Sequence, residues 1–232
     1  MKTTTTTILT TPTSEPRGKW HRARRPEQKQ ARRDAILAST RKLVDSVGIN
    51  KTTLSAIARE ANLSKANCYR YFENREAILL QLVLEDTKEW SDAIINDLAS
   101  LKGSSNLEAV SKILVNTTLK RPRLCELASS LWTVLEQNVS EDVLADFKRD
   151  FRLSTKRWLA ALAHAIPELS EDQAGTFARF FLLFIGSAWP ASKPSAAMKK
   201  VMKRSEFRSM KIDLKEMAFD HTLILLKGLL AP

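Results

Sequence analysis

The chain has 232 residues, 44% of them hydrophobic, with only six glycines and eight prolines: enough apolar material for a real core, too few turn residues for a strand-rich fold. Its formal net charge of +11 points to a polyanionic partner, and Cys68 and Cys125 stand apart with no CxxC spacing and no nearby histidine pair, which speaks against a zinc site or a disulfide framework. No metal and no other cofactor is expected. The longest apolar run, residues 177–189, contains Arg179 and is shorter than the roughly 20 residues that span a bilayer, and the opening MKTTTTTILTTPTSE lacks the apolar centre of a signal peptide. The expectation is a cytoplasmic protein with no membrane partner.

In chain order, residues 1–26 combine a threonine tract, three prolines and dense positive charge, and are expected to form a disordered basic arm. Residues 17–33 hold eight Lys or Arg against Glu27 alone, the footprint of a nucleic-acid contact or merely of a solvated tail. From Glu27 a helical pattern places Ile36, Leu37, Thr40, Leu43, Val44 and Val47 on one face, and Gly48 ends it. Thr53 is a plausible N-cap for a short second helix with Leu54, Ile57, Ala58 and Ala61 inward, Asn62 and Leu63 make a tight turn, and Ser64 caps a third helix over 65–72. Asn74 caps a long fourth helix reaching about Leu101. A Ser105–Glu108 capping box opens a fifth over 106–120, and Pro122 starts a sixth that runs through Leu135. Ser140 begins a seventh that stops at Ile166-Pro167, and Ser170 with Gln173 opens the apolar eighth, which Pro190 ends. A short helical piece is expected near 196–203, and the last main helix covers about 213–229. The sum is an all-α fold of about nine main helices.

The most informative stretch is TLSAIAREANLSKANCYRYFENR, residues 53–75. A helix-turn-helix needs one short helix braced across a second whose exposed N-terminal half fits the DNA major groove. On the third helix Cys68 and Phe72, four apart, face the core, which leaves Lys65, Ala66, Asn67, Tyr69, Arg70 and Tyr71 at or near exposed positions. Asn67 and Arg70 suit two-point contacts with adenine and guanine edges, and Ala66 a thymine methyl. Thr53, Ser64, Lys65, Tyr69, Tyr71 and Arg75 suit phosphates, helped by backbone N–H groups at helix starts.

This pattern, through Gly48, Thr53, Ile57-Ala58, Ala61, Leu63-Ser64-Lys65, Tyr69, Tyr71-Phe72 and Asn74-Arg75-Glu76, resembles the DNA-binding domain of the TetR family of bacterial regulators, with Cys68, Asn62 and Arg75 replacing that family's usual leucine, glycine and lysine. The resemblance implies a three-helix DNA-binding domain (27–90, motif about 54–73) joined by a long helix to a helical dimerisation and effector-binding domain (91–232). It implies a homodimer built on about 171–189 and 213–229, a palindromic double-stranded DNA operator, and repression relieved by a small-molecule effector. Trp189-Pro190 and Pro194-Ser195 resemble the link between the last helices in one branch of the family. The run 177–189 is buried either in that dimer or within one subunit. Trp132, Phe151, Trp158 and Phe181 are candidates to line an effector cavity, or are plain core. Two other readings stay open: a non-specific architectural nucleic-acid binder using the basic arm, and an enzyme, for which no nucleophile elbow, phosphate loop or metal cluster is visible.

Overall fold

The computed structural model describes residues 26–231, so the basic arm read at 1–26 lies outside the described residues except for Pro26. Among them are ten α-helices: α1 Pro26–Val47, α2 Leu54–Glu60, α3 Lys65–Cys68, α4 Arg75–Leu98, α5 Leu107–Leu119, α6 Pro122–Ser130, α7 Glu141–Ala165, α8 Glu171–Ala191, α9 Ala196–Val201 and α10 Leu214–Leu229. The tenth is the short piece α9. None of the helices is long and apolar enough to cross a membrane.

The helix starts follow local chemistry. The side chains of Thr53, Ser64, Asn74 and Ser140 each accept from the backbone N–H three residues on, and Ser170 with Gln173 forms a full capping box, so N–H groups that lack helical partners are satisfied at each start. Apart from the end of α3, three boundaries differ from the sequence expectation. Ser105 is not a cap: its φ is +47° and its hydroxyl donates to Glu168 at 2.5 Å, while Asn106 accepts from the Ala109 N–H at 3.0 Å. Pro190 does not stop α8, because a proline removes only its own N–H and the Ser192 N–H still donates to the Ala188 carbonyl at 3.0 Å. The expected sixth helix is broken at Ser130, where the chain passes into a π-helical turn, Leu131–Leu135, and a 3-10 turn, Glu136–Asn138.

Three apolar clusters hold the molecule together. Ile36, Leu37, Ile57, Cys68, Phe72 and Ile78 fix α1–α3 to the first turn of α4. A second cluster, with Val44, Ile49, Leu79, Val83, Leu127 and Phe147, joins that unit to α6 and α7. The largest lies among α4, α5, α7, α8 and α10, around an aromatic group in which Trp90 meets Trp158 edge-on at 5.3 Å and Phe177 stacks on Phe181 at 5.7 Å. The 24 residues of α4, about 36 Å long at 1.5 Å per residue, pass through all three. Val47, expected on the inner face of α1, is exposed: the chain turns away at Gly48 before a neighbour covers it.

Candidate nucleic-acid interface

Turn geometry sets the angle between α2 and α3. Asn62 adopts φ +52°, a left-handed conformation in which asparagine stands in for glycine at low cost, and the Leu63 N–H donates back to the Ala58 carbonyl at 2.8 Å. α3 is shorter than the expected 65–72. Only Lys65–Cys68 is α-helical, and the chain then tightens, with Arg70 N–H donating to Asn67 and Tyr71 N–H to Cys68 at 3.2 and 3.0 Å.

Cys68 and Phe72 are buried as their spacing requires, while Ser64, Lys65, Ala66, Asn67, Tyr69 and Arg70 are exposed and Tyr71 is half-buried. Burial pushes the Cys68 thiol above its ordinary pKa, so it is an apolar anchor rather than a reactive group. The side chains of Lys65, Asn67, Tyr69 and Arg70 make no hydrogen bond or ion pair among the described residues. Their donors and acceptors are exposed at the surface.

Arg75 is different. Its guanidinium donates to the carbonyls of Thr52 and Ile49, both at 2.6 Å, and to Glu76 at 2.7 Å, so three of its five N–H groups lock the turn ahead of α2 onto the start of α4. Arg75, expected at a phosphate, thus also braces the protein's own backbone. Of the basic run, Arg32 is buried and Arg33 lies over the Phe72 ring at 4.3 Å while donating to Gln81 at 2.8 Å, its pKa lowered by desolvation. These two serve packing, not a solvated tail.

Contacts that the sequence did not reveal tie this unit to the rest of the chain. Glu126 on α6 accepts from the Ile49 N–H at 2.8 Å. Arg123, one turn earlier, clamps Asp86 of α4 through two bonds at 2.7 and 2.9 Å and reaches Asp45 of α1 at 2.7 Å; hydrogen bonding to Asp86 raises its pKa further. At the other flank Glu73 accepts from the N–H and hydroxyl of Ser140, at 2.7 and 2.5 Å, and the Asn74 amide donates to the Asn138 carbonyl at 2.7 Å. The partners in these pairs are 37 to 78 residues apart, which leaves no periodic signal to read.

Beside α6 lies a small, partly open cavity of about 30 Å³ lined by Val83, Thr87, Trp90, Cys125, Trp132 and Phe151, among others. Trp132, Phe151 and Leu182 also line an open groove of about 720 Å³ between α7 and α8. Of the four aromatic candidates, Trp132 and Phe151 thus border empty space, whereas Trp158 and Phe181 are fully buried and line neither; the plain-core alternative holds for that pair. Burial pushes the Cys125 thiol up to about 12, so the cavity wall presents it as neutral.

Residues 36–82 match the family model described as bacterial regulatory proteins, tetR family, and residues 84–232 match the tetracyclin repressor-like C-terminal domain. The chain is 21% identical over 159 residues to the HTH-type transcriptional regulator BetI of Vibrio atlanticus, covering 68% of this chain and 78% of the relative. The fold is similar to that of Thermus thermophilus FadR, a TetR-family repressor solved with lauroyl-CoA (TM-score 0.58, 18% identity, 86% of this chain and 96% of that one). It is also similar to RolR solved with resorcinol (TM-score 0.56, 15% identity, 85% and 96%). With both parts of the chain matched, and with a helix-turn-helix presenting an exposed polar face, the protein belongs to the TetR family and is a DNA-binding transcriptional regulator.

Proposed function

We propose that the protein is a homodimeric repressor that reads a palindromic operator through α3 and is released by a small molecule bound between its central helices. The observation that carries the reading is the polar face of α3 and the turn after it, where Asn67 and Arg70 project without partners from a segment pinned by Cys68 and Phe72. Asn67, Arg70 and Ala66 read base edges, while Thr53, Ser64, Lys65, Tyr69 and Tyr71 hold phosphates and set register. Residues 27–90 form the DNA-reading part and 91–232 the part that dimerises and senses, working in the cytoplasm where the operator is.

The dimer rests on α8 and α10. Phe180 and Leu183 of α8 and Met217 and Ile224 of α10 are exposed large apolar side chains, Ile224 at 69%, a pattern that favours a partner helix pair over solvent. A second copy related by a two-fold axis places two recognition helices on half-sites about 34 Å apart. The effector enters from the open groove past Trp132 and Phe151. Lauroyl-CoA in FadR and resorcinol in RolR support ligand control in this fold without fixing the ligand here. From the cavity, a ligand presses on α6, whose Glu126 and Arg123 hold the α1 end of the DNA-reading unit.

The test is stoichiometry. Wild-type protein is expected to sediment as a dimer and to bind an inverted-repeat duplex as two subunits, and Ile224→Glu to sediment as a monomer with at least about tenfold weaker binding, on the order of the 1.4 kcal/mol that one decade represents. A wild-type monomer that binds the duplex as one subunit contradicts the proposal.

A further inference from the structure

The segment joining α8 to α10 carries charge that the helix-turn-helix leaves unexplained. Residues 192–213 hold seven Lys or Arg and two acids, whereas residues 86–232 as a whole hold 21 and 18; outside the connector that region has 14 basic residues against 16 acidic ones. The net positive charge of the C-terminal part is therefore gathered into one 22-residue stretch. Its two acids are engaged nearby: Asp213 caps α10 by accepting from the N–H groups of Lys215 and Glu216 at 3.0 and 3.2 Å, and Glu206 stands 3.9 Å from Arg204. Lys199, Lys200, Lys203 and Lys211 are exposed and have no side-chain hydrogen bond or ion pair among the described residues. A solvated linker needs no such excess, and like charges at this density repel one another unless an anion meets them.

Topology places the connector toward the DNA-reading end. α7 starts beside the start of α4, where Ser140 donates to Glu73, and ends at the far end, where the N–H groups of Gly103 and Ser105 donate to the carbonyls of His164 and Ala165. α8 begins at that far end and runs back, so that Gly186 lies against Ala128 and Trp132, at the level of the α6 side chains that reach Asp45 and Ile49. The chain thus leaves α8 on the side that carries α1–α3. α10 returns to the far end, where the Gln173 amide donates to the Leu229 carbonyl.

We infer that the α8–α10 connector is a second phosphate-binding surface, which contacts the sugar-phosphate backbone of the operator between its two half-sites. This rests on the dimer proposed above: α8 and α10 flank the connector, so pairing them brings two copies, each with a net charge of +5, close to the two-fold axis between the recognition helices. Lysines suit the task, because a compact charge on a flexible stem follows a phosphate track without demanding a base. The connector adds affinity and salt dependence and leaves sequence preference to α3.

The test compares full-length wild type with K199Q/K200Q/K203Q/K211Q on the duplex that wild type selects from a random pool, across a range of salt. Each phosphate contact contributes about 0.9 to the slope of log K against log salt, so the variant is expected to show a slope shallower by roughly 2 to 7 and affinity lower by about tenfold or more near physiological salt, with the same preferred sequence. Uncharged methylphosphonates at the central phosphates are expected to weaken wild type and leave the variant unmoved. Should the fourfold variant fail to fold by circular dichroism, K203Q/K211Q, both outside α9, replaces it with about half the effect. Equal slopes for wild type and variant overturn the inference. So does a variant whose one loss is co-sedimentation with phosphatidylserine vesicles, which assigns the connector to a membrane surface. Failure of the operator reading is distinguishable, since wild type then selects no duplex at all.

Discussion

At the α3 surface, Asn67 and Arg70 can be truncated without orphaning a buried group, because neither side chain has a partner within the protein. Arg70→Ala and Asn67→Ala are therefore expected to change stability by no more than about 0.5 kcal/mol while each removes about 1–3 kcal/mol of discrimination at one base position per half-site, read by competition among single-base operator variants. Arg75 behaves in the opposite way. Arg75→Ala strips donors from the carbonyls of Ile49 and Thr52 and is expected to cost about 1–3 kcal/mol of stability in urea unfolding; an unchanged midpoint together with weaker operator binding would leave Arg75 the phosphate role alone. The contrast explains what was legible at this scale. Caps such as Thr53 and Ser64 bond three residues away, within the reach of local pattern reading. Arg75 bonds to carbonyls 23 and 26 residues earlier, and a basic residue at a helix start looks the same in sequence whether it faces phosphate or backbone.

Element boundaries depend on single groups that residue type alone does not settle. Ser105 and Asn106 are both good caps, and the left-handed turn at Ser105 decides for Asn106. Pro190 reads as a stop, and α8 ends one residue beyond it, at Ala191, because the N–H groups that follow a proline can still find helical carbonyls. The π-helical turn after Ser130 had no sequence signal: 122–135 reads as a continuous apolar face, and the break accompanies the close packing of Trp132 against α8. There Gly186 matters, because a Cβ would stand 3.2 Å from the Ala128 carbonyl oxygen and 3.2 Å from the Trp132 ring. Gly186→Ala is expected to destabilise by about 1–3 kcal/mol and to shift the Trp132 fluorescence, since ring and backbone must both move. On α10, His221 stacks on Phe184 at 4.0 Å, and burial lowers its pKa from 6.5 against a hydrogen bond to the Phe180 carbonyl. The folded state therefore takes up this proton at lower pH than the unfolded chain does. The stability that neutral His221 contributes is present above about pH 6.5 and is lost as pH falls through the lowered folded-state value. The unfolding midpoint is expected to decline below pH 6.5 more steeply in wild type than in His221→Gln, and parallel profiles would contradict this.

For the whole molecule, the all-helical class, the order of the helices and the position of the DNA-reading motif were legible, because each follows from periodicity, caps and a compact motif within residues 53–75. Less legible was how the two parts of the chain join. The Glu126–Ile49, Arg123–Asp45 and Glu73–Ser140 contacts link distant segments, and they join α6 and α7 to the DNA-reading unit. The candidate pocket was half legible, since Trp132 and Phe151 border it but Trp158 and Phe181 have the same aromatic spacing and serve the core. The central claim, that α3 reads sequence from a two-fold symmetric dimer, is tested most directly by selecting bound duplexes from a random pool with the purified full-length protein near physiological salt. An inverted repeat with half-site centres about one helical turn apart is the expected result. Salt-sensitive binding that enriches no sequence would contradict it and leave a non-specific nucleic-acid binder in its place.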